Sequence, residues 1–167
     1  DVFRLGRGHL RDVLLQADVV LADGRHVTCG GPTVKNVSGF DLCRLLVGSL
    51  GKLAVIGDVI VRTRPLAPQR RWFLRDAADP EAVRRLLFRP ASVLWDGTTV
   101  WVCLEGHGRD IDQAASGASL VECDGPPPLP TGGRWSIDPS TVVARSFDWV
   151  GEQWVAEVGV GVVHHSR

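Results

Sequence analysis

The segment Gly30–Pro65 of this 167-residue chain reads GGPTVKNVSGFDLCRLLVGSLGKLAVIGDVIVRTRP, and it is the most informative part of the sequence. Residues 41–47 within it are predicted to form a short helix. Leu42, Leu45 and Leu46 are spaced three and four residues apart, which places them on one helical face. The same segment therefore predicts a helix that packs through its leucines.

The ends of this helix and the strand after it are also predicted. Asp41 can act as the N-cap, because its carboxylate can accept hydrogen bonds from unpaired backbone N–H groups. Gly48 suits the left-handed position that follows a helix. The apolar run 53–61 is expected to form one or two buried strands in the middle of a sheet. Pro65 and Pro68 then indicate a domain boundary.

The residues before this segment predict a β-hairpin. The Val-rich stretch 17–22 is typical of a strand, and Asp23-Gly24 is a strong signal for a two-residue turn. Residues 25–29 would form the returning strand. The first part of the chain thus combines an antiparallel hairpin, a short helix and a further strand.

After the boundary, the predicted elements follow the order strand, helix, strand, strand, helix, strand. They are a strand at 71–75, a helix begun by Asp79 and Pro80, strands at 92–95 and 99–104 joined by Asp96-Gly97, a helix at 111–118 and a strand at 120–123. This order is that of the ferredoxin-like split βαβ arrangement. A strand at 135–137, a short helix at 139–144 and a final strand at 154–163 complete the prediction.

Composition limits the classes of function. Lys+Arg and Asp+Glu are equal at 19 each, so the basic surface of a nucleic-acid-binding protein is not expected. No apolar run approaches the roughly 20 residues of a transmembrane helix. The four cysteines have no CxxC spacing and are predicted to be buried, reduced thiols, as in a cytoplasmic protein. No metal site is predicted.

The pattern in the quoted segment resembles a known family. The matching residues are Gly30, Gly31, Lys35, Asn36, Val37, Gly39, Phe40, Asp41, Leu42, Arg44, Leu45, Gly48, Ser49, Gly51, Leu53, Val55 and Ile56. Their spacing is similar to the C-terminal end of the FAD-binding domain in the vanillyl-alcohol oxidase / p-cresol methylhydroxylase (PCMH) superfamily. Within it, the FAD-binding subunits of glycolate oxidases are the most similar.

The resemblance implies an α+β fold with two parts. Residues 1–66 would be the C-terminal half of a PCMH-type FAD-binding domain, and residues 69–167 a ferredoxin-like α+β cap or substrate domain. It implies FAD as cofactor and oxidation of a 2-hydroxy acid to a 2-oxo acid, with hydride transfer to the flavin. Partner subunits that carry flavin and an iron–sulfur centre are implied in the same way.

The resemblance also implies which residues lie along the FAD. They are Lys35, Asn36, Gly39, Asp41, Gly48, Gly51, Val55 and Ile56. From the residues alone, Lys35 and Asn36 are expected to form an exposed turn, and with the resemblance the exposed turn and the FAD contact are equal alternatives. Asp41 is expected to be a helix cap rather than a catalytic base. No catalytic residue is predicted; the histidines His107 and His164-His165 match no motif of the family.

Departures from the family pattern weaken the expected cofactor site. Ala54 replaces a glycine, and Phe40 stands where tyrosine is common. The glycine-rich loop that holds the pyrophosphate in the family has no equivalent here, since Gly159-Val160-Gly161 is only a partial motif. The chain is therefore expected to be a piece of a longer protein that binds FAD weakly or not at all by itself and is inactive alone. The alternative is a non-catalytic structural or assembly subunit with an incomplete cofactor site.

Overall fold

The computed structural model describes residues 2–33, 40–144, 147 and 153–167. The chain divides into two compact units. One comprises Gly8–Pro65, and the other comprises Asp1–Arg7 together with Leu66–Arg167. Below they are called the small unit and the large unit. Both contain antiparallel sheets with helices, so the α+β class is confirmed.

The small unit contains a three-stranded antiparallel sheet. Its strands are β1 (Leu14–Val20), β2 (His26–Gly30) and β3 (Val55–Val61), in the order β2-β1-β3. The predicted hairpin is confirmed, since β1 and β2 pair antiparallel from Val20 opposite His26 to Gln16 opposite Gly30. A 3₁₀ turn at Leu10–Asp12 precedes the sheet.

The helix α2 (Leu42–Leu46) lies in the small unit with a different buried face from the one predicted. Cys43 and Leu46 are buried, whereas Leu42 and Leu45 are exposed. The helix has only five residues, so it presents little more than one turn, and its orientation is set by how Cys43 packs. The predicted leucine face was therefore wrong for Leu42 and Leu45, and only Leu46 packs against the unit.

The strand β3 is an edge strand rather than the buried central strand that its apolar sequence predicted. All seven of its residues are exposed, and among the described residues it pairs only with β1. Its register against β1 shifts twice, between Leu14 and Gln16 and between Asp18 and Val19. Continuous apolar character indicates two covered faces, but the described chain covers neither face of this strand.

The large unit contains a seven-stranded antiparallel sheet in the order β7-β4-β6-β5-β9-β10-β8. The strands are β4 (Gln69–Asp76), β5 (Ser92–Trp95), β6 (Thr99–Gly106), β7 (Val121–Cys123), β8 (Gly133–Ser136), β9 (Trp154–Glu157) and β10 (Val162–His165). The helices are α1 (Arg4–Arg7), α3 (Pro80–Leu86) and α4 (Gly108–Gly117), with a 3₁₀ turn at Pro139–Thr141.

The first four strands of this sheet confirm the predicted split βαβ order. The chain runs β4-α3-β5-β6-α4-β7, and β6 lies between β4 and β5 while β4 lies between β6 and β7. Asp79 caps α3 as predicted, because its carboxylate accepts a hydrogen bond from the Glu81 backbone N–H at 2.9 Å. Val83 of α3 and Ile111 of α4 are buried in one cluster with the sheet.

The segment 154–163, predicted to be one strand, is instead part of a hairpin. β9 and β10 pair antiparallel, with Glu157 opposite Val162 and Trp154 opposite His165. Gly159 and Gly161 have positive φ angles of 78° each, which lets the chain reverse between the strands. The prediction failed because the β-branched residues continue through this turn and conceal it.

A charged cluster in the large unit joins α1 to the sheet. Glu105 accepts a hydrogen bond from Arg7 at 2.9 Å and one from Arg70 at 2.6 Å. Both guanidinium groups also lie against the Phe3 ring, 4.4 Å and 4.9 Å from its centroid. Burial alone would raise the pKa of Glu105, but the two arginines outweigh it and hold this pKa below its ordinary value.

Substitution Glu105→Gln is expected to lower the free energy of unfolding by about 1 kcal/mol at neutral pH, because the ion pairs are partly exposed. Since the folded-state pKa of Glu105 is lowered, its contribution is complete above the ordinary pKa of about 4.3 and disappears as the pH falls through the folded value. Chemical denaturation at neutral pH and below about pH 4 measures this difference.

The control is Asp124→Asn, which removes an exposed carboxylate with no ion pair to the described part of the chain. It should leave the free energy of unfolding nearly unchanged at both pH values. A Glu105→Gln effect that persists undiminished in acid would contradict the electrostatic explanation.

Candidate functional site

The predicted FAD-contacting residues that are described all lie in the small unit, around α2 and β3. Asp41 caps α2, accepting a hydrogen bond from the Arg44 backbone N–H at 3.2 Å. Its other carboxylate oxygen lies 3.1 Å from Arg44 Nε. The predicted cap is therefore confirmed, and a role of Asp41 at a cofactor stays a prediction. Lys35, Asn36 and Gly39 lie outside the described residues.

Two glycines that follow α2 leave the main chain of this loop accessible to a ligand. Gly48 and Gly51 have φ angles of 91° and 75°, values that side chains rarely allow. A Cβ atom built at either position would meet no atom within 4 Å. Glycine is thus required by backbone conformation here, and the space in front of both residues is open within the described structure. A ligand could approach this backbone closely.

Val55 and Ile56 begin the exposed edge strand. Val55 is 69% exposed and Ile56 is 45% exposed. An edge strand carries backbone N–H and C=O groups that have no partner on its outer side. The start of β3 therefore offers apolar side chains together with hydrogen-bonding backbone groups, which suits a flat organic ligand with polar edges.

Close packing beneath α2 positions these elements. A Cβ atom at Gly30 would collide with the Leu15 carbonyl oxygen and lie 2.9 Å from Cys43 Sγ. Cys43 Sγ lies 3.5 Å from the Cys29 carbonyl oxygen, which can accept its S–H. Burial, with the nearby Asp41 charge, raises the pKa of the Cys43 thiol, so the residue packs and does not act as a nucleophile.

Substitution Gly30→Ala should cost at least about 2 kcal/mol in the free energy of unfolding, because both the positive φ and the collision with Leu15 oppose it. Gly31→Ala is the matched control. A Cβ at Gly31 would meet nothing within 4 Å, so this change should stay within about 0.5 kcal/mol. Equal effects in denaturant unfolding of the two variants would contradict the packing described here.

The large unit contains a buried polar pair that the sequence did not predict. His164 Nε2 lies 2.8 Å from Glu157 Oε1. Glu157 is 1% exposed and His164 is 6% exposed. Recognising the hairpin would have revealed the pair, since its register puts Glu157 and His164 on the same face of the sheet. His107, in contrast, is exposed at the start of α4 and makes no capping hydrogen bond with its side chain.

A cleft lies next to this buried pair. It is lined by Leu129, Pro130, Thr131, Gly133, Arg134 and His164. The lining combines an apolar wall from the proline-rich loop with a hydroxyl, a guanidinium and an imidazole. The cleft can therefore hold a small polar ligand against an apolar side.

Other reactive chemistry is limited in the part of the chain that the structure describes. No group of three or more His, Cys, Asp or Glu side chains there could hold a metal ion. Burial, followed by the Glu105 charge, raises the pKa of Cys103 to about 12, which leaves this thiol protonated and unreactive. No described helix has the length and apolar character of a membrane span.

Curated proteins of known sequence resemble this chain over part of its length. Glycolate oxidase subunit GlcE of Escherichia coli is 34% identical over 113 residues, which are 64% of this chain and 32% of that protein. D-lactate dehydrogenase of Archaeoglobus fulgidus is 50% identical over 64 residues, 38% of this chain and 14% of that protein. The chain is homologous to part of the FAD-linked oxidases.

A further relative within these FAD-linked oxidases is glycolate oxidase subunit GlcD of Bacillus subtilis. It is 28% identical over 127 residues, 71% of this chain and 27% of that protein. The chain thus spans about a third or less of the length of these relatives. No family model matches the chain. The predicted resemblance is confirmed at the level of FAD-linked oxidases related to glycolate oxidase subunits.

Proposed function

We propose that the chain is part of an FAD-dependent oxidoreductase that oxidises a 2-hydroxy acid to a 2-oxo acid. The observation that carries the proposal is the similarity to glycolate oxidase subunits and to a D-lactate dehydrogenase. The reactions in these names share one chemistry, the oxidation of a hydroxyl group next to a carboxylate. When bound, FAD would supply the hydride acceptor for this reaction.

The small unit is proposed to be the C-terminal part of a PCMH-type FAD-binding domain. Its described residues fit one portion of a flavin site. Open backbone at Gly48 and Gly51 would allow close approach of the nucleotide, and the exposed start of β3 at Val55 and Ile56 would pack along it. Asp41 would act indirectly, by fixing the first turn of α2.

The segment before α2 would contribute polar contacts to the nucleotide. Lys35 would place a positive charge near the phosphates, Asn36 would donate hydrogen bonds, and Gly39 would let the backbone pass close to the ligand. These contacts fit only part of a dinucleotide. The pyrophosphate loop would come from sequence outside this chain.

The large unit is proposed to be the cap or substrate domain, with residues 69–167 as its extent. The names of the relatives also support partner subunits, because glycolate oxidase subunits GlcD and GlcE are named as parts of an oxidase. We extend this to a flavin subunit and an iron–sulfur subunit as partners, and to a cytoplasmic location.

The role of Lys35 can be tested by FAD titration of the full gene product, including any upstream sequence that the gene encodes. Lys35→Gln should weaken FAD binding about tenfold, the expected loss of one charge-assisted hydrogen bond. Arg109→Gln is the control, since it removes one positive charge from an exposed position on α4 of the large unit, outside the proposed FAD contacts. Flavin fluorescence quenching measures both dissociation constants.

Equal FAD affinity in both variants would remove Lys35 from the proposed site. Absence of FAD binding by the unsubstituted gene product would reject the flavoenzyme and favour the alternative, a non-catalytic assembly subunit.

A further inference from the structure

We propose that Arg134, His164 and Thr131 form a binding site for a small carboxylate anion in the large unit. The proposal goes beyond the proposed function, because it needs neither FAD nor the small unit. It depends on three observations: the buried Glu157–His164 pair, the position of Arg134 beside it, and the cleft onto which His164 opens.

The first observation is the cost of the buried pair. Removing a carboxylate from water is unfavourable unless it is paired and hydrogen-bonded. Glu157 is 1% exposed, and its Oε2 atom has no hydrogen-bond partner in the described structure. The hydrogen bond between His164 Nε2 and Oε1 compensates only one of the two oxygens. Two hydrophobic side chains could fill this space at a lower free-energy cost, so a ligand-binding role for the histidine is the simpler explanation.

The hydrogen bond to Glu157 determines how the imidazole faces the cleft. Because Nε2 is directed at the carboxylate, Nδ1 is the ring atom left for a ligand. A carboxylate partner fixes the orientation of an imidazole ring. Glu157 would thus be a positioning residue, and Nδ1 of His164, which lines the cleft, would supply an N–H or a lone pair to the ligand.

The second observation is the register of β8 and β10. His164 lies directly opposite Arg134, so their side chains leave the same face of the sheet as neighbours. Arg134 is exposed and makes no ion pair with the described part of the chain. Its planar guanidinium can bind a carboxylate through two parallel hydrogen bonds.

The side chains that line the cleft define the ligand class. Arg134 carries a positive charge that no ion pair with the described part of the chain balances, which suits an anionic ligand. Thr131 adds a hydroxyl donor at the rim, and Leu129 with Pro130 provides an apolar wall. A small carboxylate presents the matching groups, a flat anion on one side and a short carbon chain on the other.

The test is ligand-observed NMR of acetate and glycolate with the purified chain, with glycolamide as the uncharged analogue and inorganic phosphate as a competing anion. Acetate and glycolate should bind with dissociation constants of about 1 mM, as expected for small weak ligands. The Arg134→Gln substitution should weaken the binding of both carboxylates at least about tenfold. Arg134 is exposed, so this variant is expected to fold.

The control is Arg109→Gln, which removes an equal charge from an exposed position on α4 and should change binding less than twofold. A second variant, His164→Asn, should weaken the binding of glycolate more than that of acetate, because glycolate has an additional hydroxyl group that can form a hydrogen bond with the imidazole. An unchanged ratio of the two affinities would place His164 outside the site. Any one of three results would overturn the proposal. They are equal affinity of the Arg134→Gln variant and the unsubstituted chain for the carboxylates, no binding of either carboxylate, and binding of glycolamide as tight as that of glycolate. Tighter binding of phosphate than of carboxylates would overturn the ligand class. None of these results depends on flavin, so they are separable from failure of the proposed function.

Discussion

The small unit depends on one close contact, where the backbone at Gly30 passes the Leu15 carbonyl with no room for a side chain. Gly30 is the last residue of β2 and lies beside Leu15 of β1 at this contact. The Cys43 side chain of α2 packs against the same glycine. The helix is consequently held by Cys43 and Leu46, while Leu42 and Leu45 are exposed. The loop that follows α2 and the start of β3 then lie on the exposed side of the unit, where the proposed FAD contacts are.

The sequence predicted local structure best where a single residue has one physical role. Asp41 and Asp79 cap their helices as expected, because a carboxylate before a helix has a nearby backbone N–H to bind. The Asp23-Gly24 and Asp96-Gly97 turns also connect antiparallel strands as predicted. The order of six elements in the large unit followed from these signals.

The errors arose where tertiary packing decides. The burial of β3 was inferred from its apolar residues, but burial requires a covering element, and the described chain has none there. The face of α2 was inferred from a leucine spacing that five residues cannot enforce. For the candidate sites, the spacing of Gly48 and Gly51 was informative, whereas the Glu157–His164 pair required the hairpin register that only the structure provides.

The central proposal is that this chain contributes to a flavin site for the oxidation of 2-hydroxy acids, and homology with part of the FAD-linked oxidases is its main support. The most direct measurement is the visible absorbance spectrum of the purified full gene product, recorded anaerobically before and after addition of glycolate or D-lactate. A flavin spectrum that bleaches on addition of a 2-hydroxy acid is the predicted result. A protein that shows no flavin absorbance even after incubation with FAD, or a bound flavin that no 2-hydroxy acid reduces, would contradict the claim.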